Sequence, residues 1–543
     1  MTIELLPELA ADASPEFIDA AGCKEWLENL PLANVAAAQA ELARQLREFN
    51  RFPVRAATRL AVLEEVRDAV NFVQIEQAKR FTNRAQPLIE AEEAVFAQTI
   101  DLWTQMRFGY LRCLDAAMAG EAGMRPHAAL MAQRALAYSG LSMFHHYRAY
   151  REIPGREWHA LHQAYLSAEQ LDAARESVKD YLNRDVSDTS PQIAYARAIL
   201  LGACNPLELS QRQLTFVTFL LERWGDKIDL VDAPFEDPEI PPLVVNVASE
   251  RGAGRLDAAQ SDEPAPQETR YLDARRLAKC LRNRVALLRK GESPSKLALG
   301  EDCVQPSCEQ LLVYLYRQWC QPQAPRAAER RNANSAVQMT GDLAAIHYQL
   351  TGSAFRQPAS DSELTAKQRA EIATFGRIST RHEDDYGEKR GYALEQWRLE
   401  DESLQGLRMT RSADAAGKRY VLGQLLAVKP ADAKSFMLGQ IRWLMSAESG
   451  DLQAALRLMP GLPAGVGVRP TGLNAVNEVF VQALSLTGVP ALKAPPSLIL
   501  PSGWYKPKRV IEVHVQSTLR AQLTALLERG SDFERVAYEV LPG

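Results

Sequence analysis

Several things are scarce in this chain of 543 residues. No run of 18 or more apolar residues occurs, so no transmembrane helix is expected. There is no excess of positive charge: 63 basic residues stand against 68 acidic ones, a net charge of −5. That balance argues against bulk binding to nucleic acid or to an anionic membrane, which usually leaves a basic surplus. Only seven cysteines are present, at 23, 113, 204, 280, 303, 308 and 320. An odd, sparse set suits reduced thiols in a cytoplasm rather than a disulfide framework. Gly and Pro number 30 each, too few for a fibrous or disordered chain. The N-terminal stretch carries acids and no basic region, unlike a secretory signal.

The common catalytic signatures are missing as well. No G-x-x-x-x-G-K-[ST] loop cradles phosphates, no H-E-x-x-H or C-x-x-C offers metal ligands, and no G-x-S-x-G elbow presents a nucleophile. His159 and His162 stand three apart in a helical segment, two ligands at most. No nucleophile, base and oxyanion hole assemble from the sequence, and no cofactor or metal is expected.

What is present changes character along the chain. Residues 32–230 are rich in Ala, Leu, Glu, Gln and Arg, which lose little side-chain freedom in a helix. Leu60, Leu63, Val66, Val70 and Val73 recur at steps of three and four, the signature of an amphipathic helix. Helices are also expected near 86–119, 125–151, 156–168, 170–183, 190–202 and 209–224, with breakers at Pro154-Gly155 and Asn205-Pro206. The expectation is an all-α domain over 1–230, a bundle or irregular solenoid. Residues 231–270 are rich in Pro, Asp, Glu and Gly, a linker composition with room for a short strand at 243–247. Two connecting helices are expected within 271–322, the first strongly basic.

After residue 325 the apolar period shifts towards two. Segments 335–339, 344–350, 393–399, 406–411, 419–429 and 436–445 alternate, as do later ones to 541, and turn residues bound several of them. A dozen short strands without intervening helices predict antiparallel sheets closed into barrels. The fold class expected is therefore α+β and multidomain. One barrel is expected over 323–470 with a polar insertion at about 352–390. Residues 471–543 form a second small barrel or an extension of the first.

One segment carries chemistry. Asp401, Ser403 and Gly406 stand as D-x-S-x-x-G between two expected strands, and Arg326 and Arg330 stand as R-x-x-x-R before the first. The arginine spacing recurs elsewhere, at Arg51/Arg55, Arg55/Arg59, Arg251/Arg255 and Arg377/Arg381 among others. Context selects Arg326/Arg330, with Arg331 adding a third cation and Arg377/Arg381 the alternative pair. In this order the segment resembles the PilZ family, the bacterial receptor domain for cyclic di-GMP. The hydrophobic-Arg-Trp run in 439–461 is similar to that family's late hairpin.

The resemblance implies a β-barrel in the C-terminal third that binds cyclic di-GMP. It assigns Arg326 and Arg330 to guanine and phosphate, Asp401 and Ser403 to a guanine, and Gly406 to the turn. The chemistry is coherent: an Arg fork pairs with phosphate or with a guanine edge and can stack on a base. The expected function is a cytoplasmic second-messenger effector, not an enzyme, whose helical region meets a protein partner. Two alternatives stay open. In one the barrel is a ligand-free adaptor. In the other an enzyme site lies in the histidine and aromatic cluster at 143–162.

Overall fold

In a computed structural model the protein is described over residues 6–183, 187–235, 237–255, 266–300, 303–322, 330–358, 390–471 and 478–542. The chain divides into two units. The first holds 1–84 and 88–325, the second 85–87 and 326–543.

The first unit is mainly helical. Its helices are α1 (Ala20–Glu28), α2 (Val35–Arg51), α3 (Ala56–Ala78), α4 (Glu90–Met118), α5 (Ala128–Arg148), α6 (Gly155–Gln170), α7 (Pro191–Ala203), α8 (Gln211–Trp224), α9 (Arg275–Arg289) and α10 (Ser307–Cys320). Side chains that satisfy orphan N–H groups fix several starts. Asp19 accepts from Gly22 N, and Ser190 accepts from Ile193 N just before Pro191. Ser210 and Gln213 form a reciprocal capping box. Leu63, Val66, Val70 and Val73 are fully buried, as their spacing demands.

Helix α6 ends at Gln170, where 170–183 reads as a further helix from sequence; Asp172 turns the chain away in the left-handed region, at φ 58°. A two-stranded ribbon follows, β1 (Val178–Lys179) with β2 (Asp188–Thr189). The Pro- and acid-rich segment 231–270 contributes to a four-stranded sheet. Strands β3 (Asp229–Val231), β4 (Leu243–Asn246), β5 (Gly254–Arg255) and β6 (Thr269–Asp273) pair in the order β3-β6-β4-β5. Leu243, Val245 and Leu272 join the helical core, which anchors this sheet. No helix among the described residues is long and apolar enough to cross a membrane.

The second unit carries two closed barrels. The first comprises β7 (Arg331–Gly341), β8 (Glu395–Ser403), β9 (Gly406–Arg411), β10 (Leu425–Pro430), β11 (Met437–Ser446) and β12 (Leu452–Leu458). The second comprises β13 (Pro463–Pro470), β14 (Val481–Leu486), β15 (Ser497–Pro501), β16 (Val510–His514), β17 (Thr518–Arg529) and β18 (Phe533–Val540). Every pairing is antiparallel. Counting strands within each barrel, both follow the ring order 1-2-3-6-5-4, so the two have the same topology. Closure leaves no unpaired sheet edge. Strand 463–470 belongs to the second barrel rather than the first.

Segment 344–350 is not a strand, as its alternation suggests, but part of helix α11 (Leu343–Thr351). Asp342 caps its start by accepting from Ala344 N, and Gly352, in the left-handed region, ends it. The helix buries Ile346 in an apolar seam shared by the barrels, with Leu425, Ala427 and Leu438 on one side and Leu484, Leu486, Ile499 and Phe533 on the other. Most of the insertion expected at 352–390 lies outside the described residues. Cys303 and Cys308, expected as free thiols, are joined in a disulfide, while the other five cysteines are buried and unpaired.

Candidate ligand-binding face of the first barrel

Strand β8 carries the motif residues, and a β-bulge decides where they point. Leu399 pairs with Met409 but Asp401 pairs with Arg408, so Glu400 is an extra residue on β8. Trp397 and Leu399 face the barrel interior, as do Leu407 and Met409 of β9. Arg408 lies between two inward residues and faces outward. A side chain directly opposite in register shares the face of its partner, so the bulge turns Asp401 outward too. Without the bulge, period two would send Asp401 into the core with Leu399.

Asp401 is then held from two sides. Arg330 Nη1 donates to Oδ1 at 3.1 Å and to Oδ2 at 3.4 Å, and Arg408 Nε lies 2.8 Å from Oδ2. The carboxylate side chain is 8 % exposed, whereas the two arginines are 45 % and 44 % exposed. Two positive groups thus stand at the surface with their shared counter-charge beneath them.

The neighbouring strands extend this face. Arg408 pairs with Ala455 of β12, and Ala455 pairs with Trp443 of β11. A second bulge, at Arg442 between Ile441 and Trp443, brings the half-buried indole onto the outer face. One row across the sheet is therefore Asp401, Arg408, Ala455, Trp443. The adjacent row is Ser403, Gly406, Arg457, Gln440. Ala455 and Gly406 are the small members of the two rows. Between them they floor a trough, with Asp401, Arg408 and Ser403 along one wall and Trp443 and Arg457 along the other.

Gly406 is required by close approach rather than by its dihedral angles. A Cβ there would meet the carbonyl oxygen of Leu456 at 2.8 Å. Ser403 Oγ donates to the Gly406 carbonyl at 3.3 Å, which tightens the turn between β8 and β9. Asp401 and Ser403 themselves lie within β8, which runs on to Ser403 past the strand end expected at 399, rather than in a connection between strands.

Of the residues singled out in the sequence, Arg330, Asp401, Ser403 and Gly406 come together here. Arg331 opens β7 opposite Glu402. Arg326, Arg377 and Arg381 lie outside the described residues. Sequence reading missed Arg408, Arg457 and Trp443 as members of one face. The period-two count from Gly406 gives Arg408, but the other two depend on cross-strand register, which no local pattern encodes.

The 143–162 cluster, the alternative enzyme site, is built into the helical core. His145 lies against Trp103 and Phe81, and burial pushes its pKa well below the usual imidazole value. His162 bonds to Tyr195 Oη at 2.7 Å and to the Arg251 carbonyl at 2.8 Å, and burial lowers it to about 4. Both rings are packed into the core; both nitrogens of His162 are hydrogen-bonded, while Nδ1 of the buried His145 has no partner. Among the described residues no group of three or more His, Cys, Asp or Glu is placed to hold a metal ion.

Comparison with known proteins agrees with this architecture at both ends. The helical region matches the family described as "Cyclic-di-GMP receptor FimW, N-terminal domain" over residues 20–234. The second barrel matches "FimW C-terminal beta-barrel domain" over 466–541. The first barrel, with the motif, lies between the two matched ranges. The cyclic-di-GMP receptor FimW of Pseudomonas aeruginosa is 22 % identical over 538 aligned positions, covering 90 % of this chain and 84 % of the relative. The two matches come in chain order and together span more than half of the sequence, and the chain belongs to the FimW family.

Proposed function

We propose that this protein is a cytoplasmic bacterial receptor for cyclic di-GMP, not an enzyme, and that it binds the dinucleotide on the outer face of the first barrel. The observation that carries the reading is the Asp401 carboxylate between Arg330 and Arg408, with Ser403 one row away and Trp443 across the trough. Cyclic di-GMP is a dianion with two guanines. Arg330 and Arg408 offer planar forks for phosphate or for a guanine O6/N7 edge. Asp401 accepts from guanine N1–H and N2–H, and the Trp443 indole offers a stacking surface. The relative's name and the PilZ-like motif support the same ligand. Arg326, four residues before Arg330, is assigned to the same ligand by the motif, with Arg331 beside it. The bound state is relayed to a protein partner through the helical region.

A second reading is favoured by one feature: Asp401 is already neutralised by two arginines, so the face is complete without a ligand. On that reading the barrel is a ligand-free adaptor.

Calorimetric titration with cyclic di-GMP separates the two. The receptor reading expects micromolar or tighter binding by the unmodified chain. It expects Asp401→Ala and Arg408→Ala each to weaken binding, because a hydrogen bond to a charged group contributes about 1.5–3 kcal/mol, roughly ten- to a hundredfold in affinity. Absence of binding by the unmodified, folded protein selects the adaptor.

A further inference from the structure

We propose that Arg457 is a further ligand-binding residue and that its ion pair with Glu528 is a ligand-sensitive latch between the two barrels. The proposal rests on the receptor reading above and concerns how that same site is regulated.

Arg457 lies in the row Ser403, Gly406, Arg457, Gln440. Adjacent strands stand about 4.8 Å apart, so its backbone is on the order of 10 Å from that of Ser403 across the trough. Gly406, between them, has no side chain to obstruct the path. The guanidinium is 53 % exposed, free to swing over the trough floor. It does not do so here. Arg457 Nη2 instead lies 2.5 Å from Oε1 of Glu528, on β17 of the second barrel.

Glu528 is 8 % exposed, and its other oxygen lies 4.0 Å from Nη1 of the buried Arg535. A buried carboxylate deprived of every cation is costly. Glu528 escapes that cost on losing Arg457, because Arg535 stays beside it. Arg457 therefore has two alternative acceptors, the Glu528 carboxylate and an anion in the trough. A phosphate accepts a bidentate fork as readily as a carboxylate does.

The two acceptors compete for one guanidinium, so the coupling is reciprocal. A cyclic dinucleotide in the trough draws Arg457 off Glu528 and removes one tie between the barrels. The remaining ties are of a different kind. They include Leu425 N donating to Asp532 Oδ1 at 2.9 Å, Ser531 N donating to the Gly423 carbonyl at 3.0 Å, Gln440 Nε2 donating to the Arg529 carbonyl at 3.4 Å, and the shared apolar seam around Ile346. The barrels stay joined while the β12–β17 contact opens.

A double-variant cycle on the full chain, read by titration with cyclic di-GMP, tests this. Glu528→Gln weakens the competitor and is expected to tighten binding several-fold. Arg457→Ala is expected to weaken binding tenfold or more, with Arg457→Lys intermediate. In the Arg457→Ala background the gain from Glu528→Gln is expected to vanish, a non-additivity that a purely structural role does not produce. Circular dichroism and thermal unfolding establish that each variant is folded; Arg457→Ala alters an exposed side chain and carries the test even if Glu528→Gln fails to fold. Binding by the unmodified chain that neither substitution changes overturns the latch and leaves the receptor reading intact. Weaker binding by Glu528→Gln also overturns it, because the ion pair would then be organising the site rather than competing for it. An unmodified chain that takes up no cyclic di-GMP overturns both.

Discussion

Asp532 sits where the second barrel meets β10 of the first. Its Oδ1 accepts from Leu425 N at 2.9 Å. Burial raises its pKa from 3.8 to about 6; the nearby negative charge of Asp342 adds to that, and the Leu425 N–H bond opposes it. A carboxyl whose native pKa is raised binds more protons folded than unfolded between the two values. Stability therefore falls as pH rises from about 4 to about 6, and above that the whole penalty is present. Two pKa units correspond to about 3 kcal/mol. Asp532→Asn keeps an oxygen for Leu425 N and removes the charge. Its advantage over the unmodified protein is expected to be near zero at pH 4, to grow to pH 6 and to level off at about 3 kcal/mol, roughly 6–12 °C in the barrel unit's transition. Calorimetric unfolding at half-unit pH steps measures this, and hydrogen exchange at β10 assigns the transition to the barrels. Comparing the two proteins at each pH cancels groups common to both. A variant destabilised by the same amount at every pH refutes the reasoning, because the carboxylate would then be held ionised by its hydrogen bonds rather than opposed by its burial.

Two further outcomes are expected. Gly406→Ala forces a Cβ against the Leu456 carbonyl and must displace β9 from β12; a loss of about 1–3 kcal/mol in denaturant stability is expected, with weaker cyclic di-GMP binding in titration. In the helical unit, burial alone would raise the Glu157 carboxyl, but the charge and hydrogen bond of the buried Arg107 hold it below the usual carboxylate range. Glu157→Ala strands that guanidinium and is expected to cost about 3–5 kcal/mol in urea unfolding, with affinity for cyclic di-GMP unchanged where the protein remains folded.

Much of the fold is legible in the sequence because it rests on local periodicity. The three-and-four spacing from Leu60 to Val73 finds its buried face, and the switch to period two after residue 325 marks the barrels. The failures have local causes as well. In 344–350 the apolar residues fit either period, and Asp342 and Gly352, the capping residues that settle it, lie outside the segment. In 231–270 the expected strand at 243–247 is β4, but the two-residue β5 and the short β6 carry no readable period and are set in a Pro- and acid-rich stretch. The Cys303–Cys308 pairing depends on the path of the intervening chain rather than on spacing. At the site, Asp401, Ser403 and Gly406 are contiguous enough to read as a motif. Trp443 and Arg457 reach the same face only through two strand pairings.

The bulges explain why one of two barrels with the same topology carries this face. Both follow the ring order 1-2-3-6-5-4, so topology alone does not distinguish them. In the first barrel β8 bulges at Glu400 and β11 at Arg442, on the two flanks of the row that holds Arg408 and Ala455. Each bulge reverses the alternation beyond it. One brings a carboxylate to the surface and the other an indole, while the strands between them supply Arg408, Arg457 and the small floor residues. The corresponding second-to-third strand hairpin of the second barrel, β14 to β15, pairs in continuous register through Leu484, Ser485 and Leu486. Its β17 instead bulges against β18 at two places, the second between Leu526 and Glu528. That irregularity lies beside the residue that grips Arg457. The same device thus shapes the Asp401 face in one barrel and flanks Glu528 in the other, and on the proposed reading this is how a ligand on one barrel is felt by the next.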